Sequence, residues 1–245
     1  MHVLICTIIR NRRPYLPLWE DQILCLKDEN LNITFDLSIF ENDSNDGTVE
    51  YLAEIQSDLT DELNNVIITC AKKDWPYFGS IRDEERVAYL ANARNHALNQ
   101  ALNRKLDYTY DKVIFIEPDI DYDPEEISKL LYTDDDIASP YSLHPIEFAD
   151  HRWIYDSWAT RINASDDIFR GPKIFDMPDR LAVAATFNCF CVYNAKPFLE
   201  GARFSGINPI TNRWDCDTTN ICLEFAAREY NKIGLYKIPV THLDN

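Results

Sequence analysis

The stretch Phe115-Ile116-Glu117-Pro118-Asp119-Ile120-Asp121-Tyr122-Asp123-Pro124 runs an apolar segment straight into alternating acids. In an extended chain Glu117, Asp119 and Asp121 share one side. Carboxylates packed at a strand end repel one another unless a cation sits among them. Hard oxygen ligands suit Mn²⁺ or Mg²⁺, and either ion can clamp a diphosphate. The same residues also fit a solvated acidic turn, with Asp123 capping the helix that follows. A second cluster, Glu41-Asn42-Asp43-Ser44-Asn45-Asp46-Gly47-Thr48, follows an apolar run. An acid in that place can accept hydrogen bonds from a nucleobase or ribose, although a tight turn into a capped helix explains the residues equally well. In a third segment, Val87, Leu90, Ala91 and Arg94 fall on one helical face, so Arg94 extends a core-facing stripe. A buried arginine needs an anionic partner, either a structural carboxylate or a bound diphosphate.

These groups need a scaffold that gathers distant segments at one place. Strand and helix patterns alternate through the first half: strands over 2–9, 34–41, 65–71 and 112–117, helices over 16–27, 48–57, 84–103 and 124–131. That alternation predicts an α/β fold with a mostly parallel central sheet flanked by helices. Ligands of such sheets lie beyond the carboxyl ends of the strands, where Arg10, Glu41, Asp43 and the acids from Glu117 onward all fall. The second half is less regular. A strand is expected over 136–141, an aromatic loop over 150–170, one long strand or a strand pair over 180–193, a helix over 216–230 and a last strand over 235–240. With no repeat or linker, the 245 residues are read as one domain.

Twenty-four Lys and Arg against 41 Asp and Glu give a formal charge of −17, which repels a phosphate backbone and argues against nucleic-acid binding. An acidic protein that handles a phosphorylated ligand needs a local basic site or a divalent cation. The longest apolar run, Val3 to Ile9, is far short of the roughly 20 residues that span a bilayer and reads as a buried strand, not a signal peptide. No integral membrane segment is expected. Seven cysteines lack a C-x-x-C pair; Cys189 and Cys191, if both on a strand, point to the same face, and buried reduced thiols are expected.

In order along the chain, E-N-x-S-x-D-G-T at 41–48, R-V-x-Y-L-A-x-x-R-N at 86–95 and Y-D-K-V-I-F-I-x-x-D at 110–119 form a recognisable series. It continues with Asp123-Pro124-Glu125-Glu126 and with Tyr155-Asp156-Ser157-Trp158, similar to a Y-D-T-W segment. Phe187-Asn188 precedes Ala195-Lys196-Pro197-Phe198, and Asp215-Cys216-Asp217 stands where an S-E-C signature is found. Together these resemble the fungal capsule-associated α-1,3-mannosyltransferases of the cryptococcal type, glycosyltransferase family 69. The sequence has no counterpart of those enzymes' N-terminal membrane anchor, and a cytoplasmic protein is expected.

The resemblance implies a single GT-A-like (Rossmann-like) domain over 1–245, with residues 1–123 as the nucleotide-sugar-binding half and 124–245 as the acceptor-binding half. It implies a hexosyltransferase, retaining in stereochemistry, that uses Mn²⁺ (or Mg²⁺) and moves mannose from a GDP- or UDP-sugar to a glycan acceptor. Carried over by position, Arg10, Glu41, Asp43 and Arg94 serve the nucleotide, and Asp119, Asp121 and His242 the metal. Asp156, Trp158 and Arg161 serve the acceptor, because an aromatic face with hydrogen-bonding groups suits a sugar. Asp215 or Asp217 stands in for the family's glutamate, as general base or donor-side hydrogen-bond partner. A catalytically silent nucleotide-sugar or glycan-binding module on the same fold is the competing reading. A metal-dependent phosphohydrolase or nuclease is a third, disfavoured by the charge and by the lack of a second acidic or paired-histidine cluster.

Overall fold

The apolar run after Met1 forms strand β1 (His2–Ile9), buried along nearly its whole length. Its edges pair in parallel with β2 (Thr34–Asn42) and β4 (Lys112–Ile116), and helices cover both its faces. Strand β3 (Asn65–Ala71) adds in parallel outside β2. Past β4 the sheet continues through β8 (Phe190–Asn194), β6 (Ile137–Leu143), β9 (Ile233–His242) and β5 (Ile120–Tyr122), and β7 (Arg180–Ala182) also pairs with β9. Strands β1, β2, β3, β4, β6 and β9 run one way, whereas β5, β7 and β8 run the other. The computed structural model describes residues 1–144 and 153–243. One sheet therefore passes through both halves of the chain, in agreement with the expected α/β fold.

Helices α1 (Leu16–Asp28), α2 (Thr48–Glu62) and α4 (Pro124–Ser128) pack on one face of the sheet. Helices α3 (Glu84–Leu102), α5 (Ala195–Leu199) and α6 (Asp217–Ala227) pack on the other. Along β1 the two cores alternate: Leu4 and Cys6 serve one, Val3 and Ile5 the other. Helix α2 runs past its expected end at 57 because Leu59 continues the buried stripe of Leu52 and Ile55. Asp123 caps α4 by accepting from the Glu125 and Glu126 N–H groups, as expected, and a 3-10 turn, Lys129–Tyr132, replaces the rest of that helix.

The region 180–193 proves to be two separate strands. Asn188 and Cys189 take φ of 52° and 64°, and a chain in the left-handed region cannot continue a strand. The kink also corrects the expected shared face of Cys189 and Cys191, whose side chains pack in opposite cores. Every cysteine is free, and Cys25 and Cys70 are exposed, unlike the buried set expected. Of the 150–170 loop, 150–152 lie outside the described residues; 153–170 form turns, with one isolated bridge from Arg161 to Ala185. Among the described residues no helix is long and apolar enough to cross a membrane.

Candidate active site

The parallel strands end at one rim, and the chain makes its sharpest excursions there. Asn11 after β1, Asp43 after β2, and Asn188 with Cys189 before β8 all have positive φ. Asn and Asp tolerate this conformation; Cys189 does so at a cost, a pattern found where a fold positions functional groups. A cleft of about 520 Å³ opens at this rim, with Arg10, Arg12, Glu117, Asp119 and His242 in its walls.

After β4 the chain crosses the ends of its neighbours to reach β5 on the far side of β9. Glu117 N–H donates to the Cys189 carbonyl (2.8 Å), and Leu243 N–H to that of Asp119 (2.8 Å). The crossing sets Glu117 and Asp119 toward the cleft. The Asp119 Oδ2 atom lies 3.6 Å from His242 Nε2 and 3.0 Å from Arg12 Nε. Ligand atoms of Glu117, Cys189 and His242 lie within 4.8 Å of one another. Tyr155 stacks on His242, with ring centroids 4.1 Å apart, and holds the imidazole in place.

Asp121 does not join this group. Antiparallel pairing of β5 with β9 turns Ile120 and Tyr122 inward and leaves Asp121 exposed, where it accepts from Gln22 Nε2 at 3.0 Å. The alternation that puts 117 and 119 together holds only until the chain enters β5. The acidic pair at the cleft is thus Glu117 with Asp119, and its signal was the Glu-Pro-Asp spacing itself. Tyr155, in the Y-D-S-W segment, and Cys189, paired with Cys191, carried no expected role at the cleft, because both reach it through tertiary packing.

Arg94 is only 4% exposed, and its Nε donates to Asp217 Oδ2 at 2.9 Å while Nη2 reaches Glu117 Oε1 at 3.3 Å. Of the two kinds of partner open to it, the structure shows carboxylates, those of Asp217 and Glu117, while Arg94 also lines the cleft. The Phe187 ring packs 4.5 Å from the guanidinium carbon. Burial works against the charge, but Asp217 and Glu117 hold Arg94 firmly protonated. Burial also works to raise the Glu117 carboxyl; the charges of Arg94 and His242 outweigh it and hold it below the usual range. For Asp119, burial and the neighbouring Glu117 prevail over Arg12 and His242, and its carboxyl is raised.

The two candidate bases are both engaged. Asp217, at the first turn of α6 where the helix dipole favours an anion, is bound to Arg94. Asp215 is gripped by both prongs of Arg161 (2.8 and 2.5 Å) and by Asn208 Nδ2 at 3.1 Å, which hold its carboxyl low against the effect of burial. The Asp215–Arg161 pair lies outside the cleft, in a neighbouring groove. Asp156 and Trp158 line the cleft as expected. Asp156 accepts from the N–H groups of Asn188 (3.1 Å) and Ala159 (3.4 Å). Burial, and then the charge of Glu117, push its carboxyl up to about 6.

A hollow of about 540 Å³ adjoins the cleft and is walled by Arg10, Glu41, Asp43 and Trp75. Glu41 is buried and accepts from Ser44 N–H at 2.9 Å. Asp43 spends its oxygens on the N–H groups of Lys73, Asp74 and Trp75. Burial opposes ionisation there, but hydrogen bonds from Asn42 and those amides bring the carboxyl down to about 2. Arg10 donates to the carbonyls of Trp75 (2.7 Å) and Pro76 (2.9 Å). Together they fasten the segment 72–82, which roofs the cleft with Tyr77, Phe78 and Gly79. That roof has no regular pattern and was missed in the sequence.

Fold comparison finds the same GT-A architecture in glycosyltransferases of known structure. The Pyrobaculum calidifontis mannosyltransferase PcManGT, in complex with GDP-Man and Mn²⁺, superposes with a TM-score of 0.55 at 12% identity, over 99% of this chain and 56% of that one. S. aureus TarS 1-349 in complex with UDP-GlcNAc gives a TM-score of 0.54 at 12% identity, over 100% and 60%. The chain thus spans about three fifths of the length of these solved structures. No curated protein matches it. The profile of the family described as cryptococcal mannosyltransferase 1 matches residues 2–226, everything up to the last turn of α6 and short of the strand that carries His242. With its motifs on the cleft of a GT-A fold, the chain belongs to that mannosyltransferase family.

Proposed function

We propose that the protein transfers a sugar, mannose by family, from a nucleotide-diphosphate sugar to a hydroxyl of a glycan acceptor. The observation that carries this reading is the convergence of Glu117, Asp119 and His242 at the strand ends, beside a hollow built on the end of β2. Two carboxylates and an imidazole suit Mn²⁺ or Mg²⁺. The Cys189 thiol beside them is a soft donor and suits these hard ions less well than the carboxylates do. Asp119 and His242, with Glu117, are the residues that would hold the ion. When bound there, the ion supplies positive charge for the departing diphosphate.

Residues 1–123 form the donor side and 124–245 the acceptor side. Glu41 and Arg10 border the nucleoside, and Asp43 shapes its wall by fixing the 72–82 roof. Arg12, beside Asp119, adds a guanidinium near the phosphates. Asp156 and Trp158 orient the acceptor, the carboxylate toward its hydroxyl and the indole against its ring. With Asp215 and Asp217 each bound to an arginine, neither is placed to take a proton. The acceptor oxygen forms its bond to the anomeric carbon as the bond from that carbon to the phosphate oxygen breaks, and the proton passes to the departing phosphate. The stereochemistry is then retained.

A thermal-shift panel of GDP, UDP, GDP-mannose and UDP-sugars, with Mn²⁺ and with EDTA, tests the donor reading. The matching nucleotide at 100 times its dissociation constant adds about 2.7 kcal/mol of stability. Equal stabilisation in EDTA overturns the metal dependence. An inverted product, read by NMR of the anomeric proton, overturns retention and moves the role of base to Asp156.

A further inference from the structure

Beyond Trp158 the cleft opens into a second groove of about 610 Å³, which shares Arg82 and Trp158 with it. Its outer wall is a hairpin over 206–215, braced far more than an ordinary surface loop. Ile207 bridges Trp214, Asn208 N–H donates to the Arg213 carbonyl (2.8 Å), and Asp215 N–H to that of Gly206 (2.9 Å). The Asn208 side chain accepts from the Ile210 and Thr211 N–H groups and donates to Asp215, itself clamped by buried Arg161. A Cβ on Gly206 would come within 3.2 Å of the Ala88 backbone, so the hairpin leans directly on α3.

This bracing holds Trp214 in the groove at 42% exposure. Among the described residues no ring or cation covers its indole. Around it stand Asn208, Thr211, Arg213 and Asp166, groups that donate and accept hydrogen bonds. A rigid aromatic face ringed by short polar side chains matches a pyranose, with C–H groups on its face and hydroxyls on its edge.

We propose that this groove is an extension of the acceptor site, holding the second and further rings of an oligosaccharide whose terminal sugar sits beside Trp158. The role as acceptor site rests on the transferase reading above. The groove's affinity for a glycan chain does not. The acceptor class is accordingly a chain of at least two sugars, with the monosaccharide a poor substitute.

Binding is to be measured across neutral and acidic oligosaccharides of one to four rings, by calorimetry and by the shift of the Trp214 indole N–H in ¹⁵N spectra. In at least one series, affinity rises about three- to tenfold from one ring to the longer members, the effect of one stacked ring. The indole signal moves only with the longer ones. Trp214→Ala removes the gain with length, and Trp214→Phe restores most of it; the melting temperature of each confirms a folded hairpin. The inference is overturned if no series gains affinity with length, if the indole signal stays put, or if Trp214→Ala keeps the gain. The last result would leave the hairpin, with exposed Ile207 and Ile210, as a protein contact. Donor hydrolysis by the unaltered protein is scored separately. Its absence would count against the transferase reading, whereas a missing length dependence would count against the groove.

Discussion

Two arginines, Arg94 and Arg161, each meet a carboxylate at or just before the start of α6, yet they stand in different surroundings. Arg94 and Asp217 are 4% and 3% exposed, and Glu117 joins them from the cleft wall. Arg161 is as deeply buried, but its partner Asp215 retains 18% of its exposure and opens on the outer groove. The Arg94–Asp217 pair borders the cleft but is almost wholly shielded from water, so its charges are balanced mainly by protein groups. The outer pair can rehydrate one end. The inner cluster therefore positions Glu117 at the cleft, and the outer pair braces the hairpin that carries Trp214.

Arg94→Ala should show the largest effect, because it leaves Asp217 buried without a counter-charge and Glu117 without its cationic neighbour. A loss of about 3–5 kcal/mol is expected in urea unfolding. The Arg94→Lys variant would not recover it, since one ammonium cannot reproduce the two directions of the guanidinium. A mild loss of stability with a large loss of nucleotide affinity would reverse the assignment and return Arg94 to the donor. Arg161→Ala should cost less, about 1.5–3 kcal/mol, as Asp215 keeps Asn208 and gains water. Equal costs for the two variants would erase the contrast between inner and outer pairs.

The smallest effects are in pH dependence, and they run in opposite directions on the two sides of the cleft. Asp156 keeps its proton to about pH 6 when folded, against about pH 4 for an unfolded aspartate. Stability contributed by this group is present at low pH and falls as pH rises from about 4 to 6. Asp156→Asn should flatten that slope. Asp43 has its folded value lowered to about 2, so its contribution is present above about pH 4 and lost as pH falls toward 2. Asp43→Asn should be less stable at neutral pH, with the difference closing in acid. Urea titrations from about pH 3 to 7 check both, and slopes of the same sign would show that one carboxylate is misread.

The alternating scaffold of the first half, and the rim at which its polar clusters end, were legible in the residue pattern. Strand β1 was legible as an unbroken apolar run because a parallel strand is buried on both faces. Arg94 was legible as buried from its place on the stripe of α3, though not as the partner of Asp217, which is 123 positions away. Asp119 and His242 were already grouped by the resemblance; that Glu117 and not Asp121 lies beside them depends on the crossing from β4 to β5, which ends the alternation before Asp121. Likewise, the separation of Cys189 from Cys191 depended on two left-handed residues that no periodicity announces. Local pattern records which faces are apolar. The ends of strands, where the chain turns and the charges gather, are set by which strand lies next to which, a matter of contacts far apart in the chain.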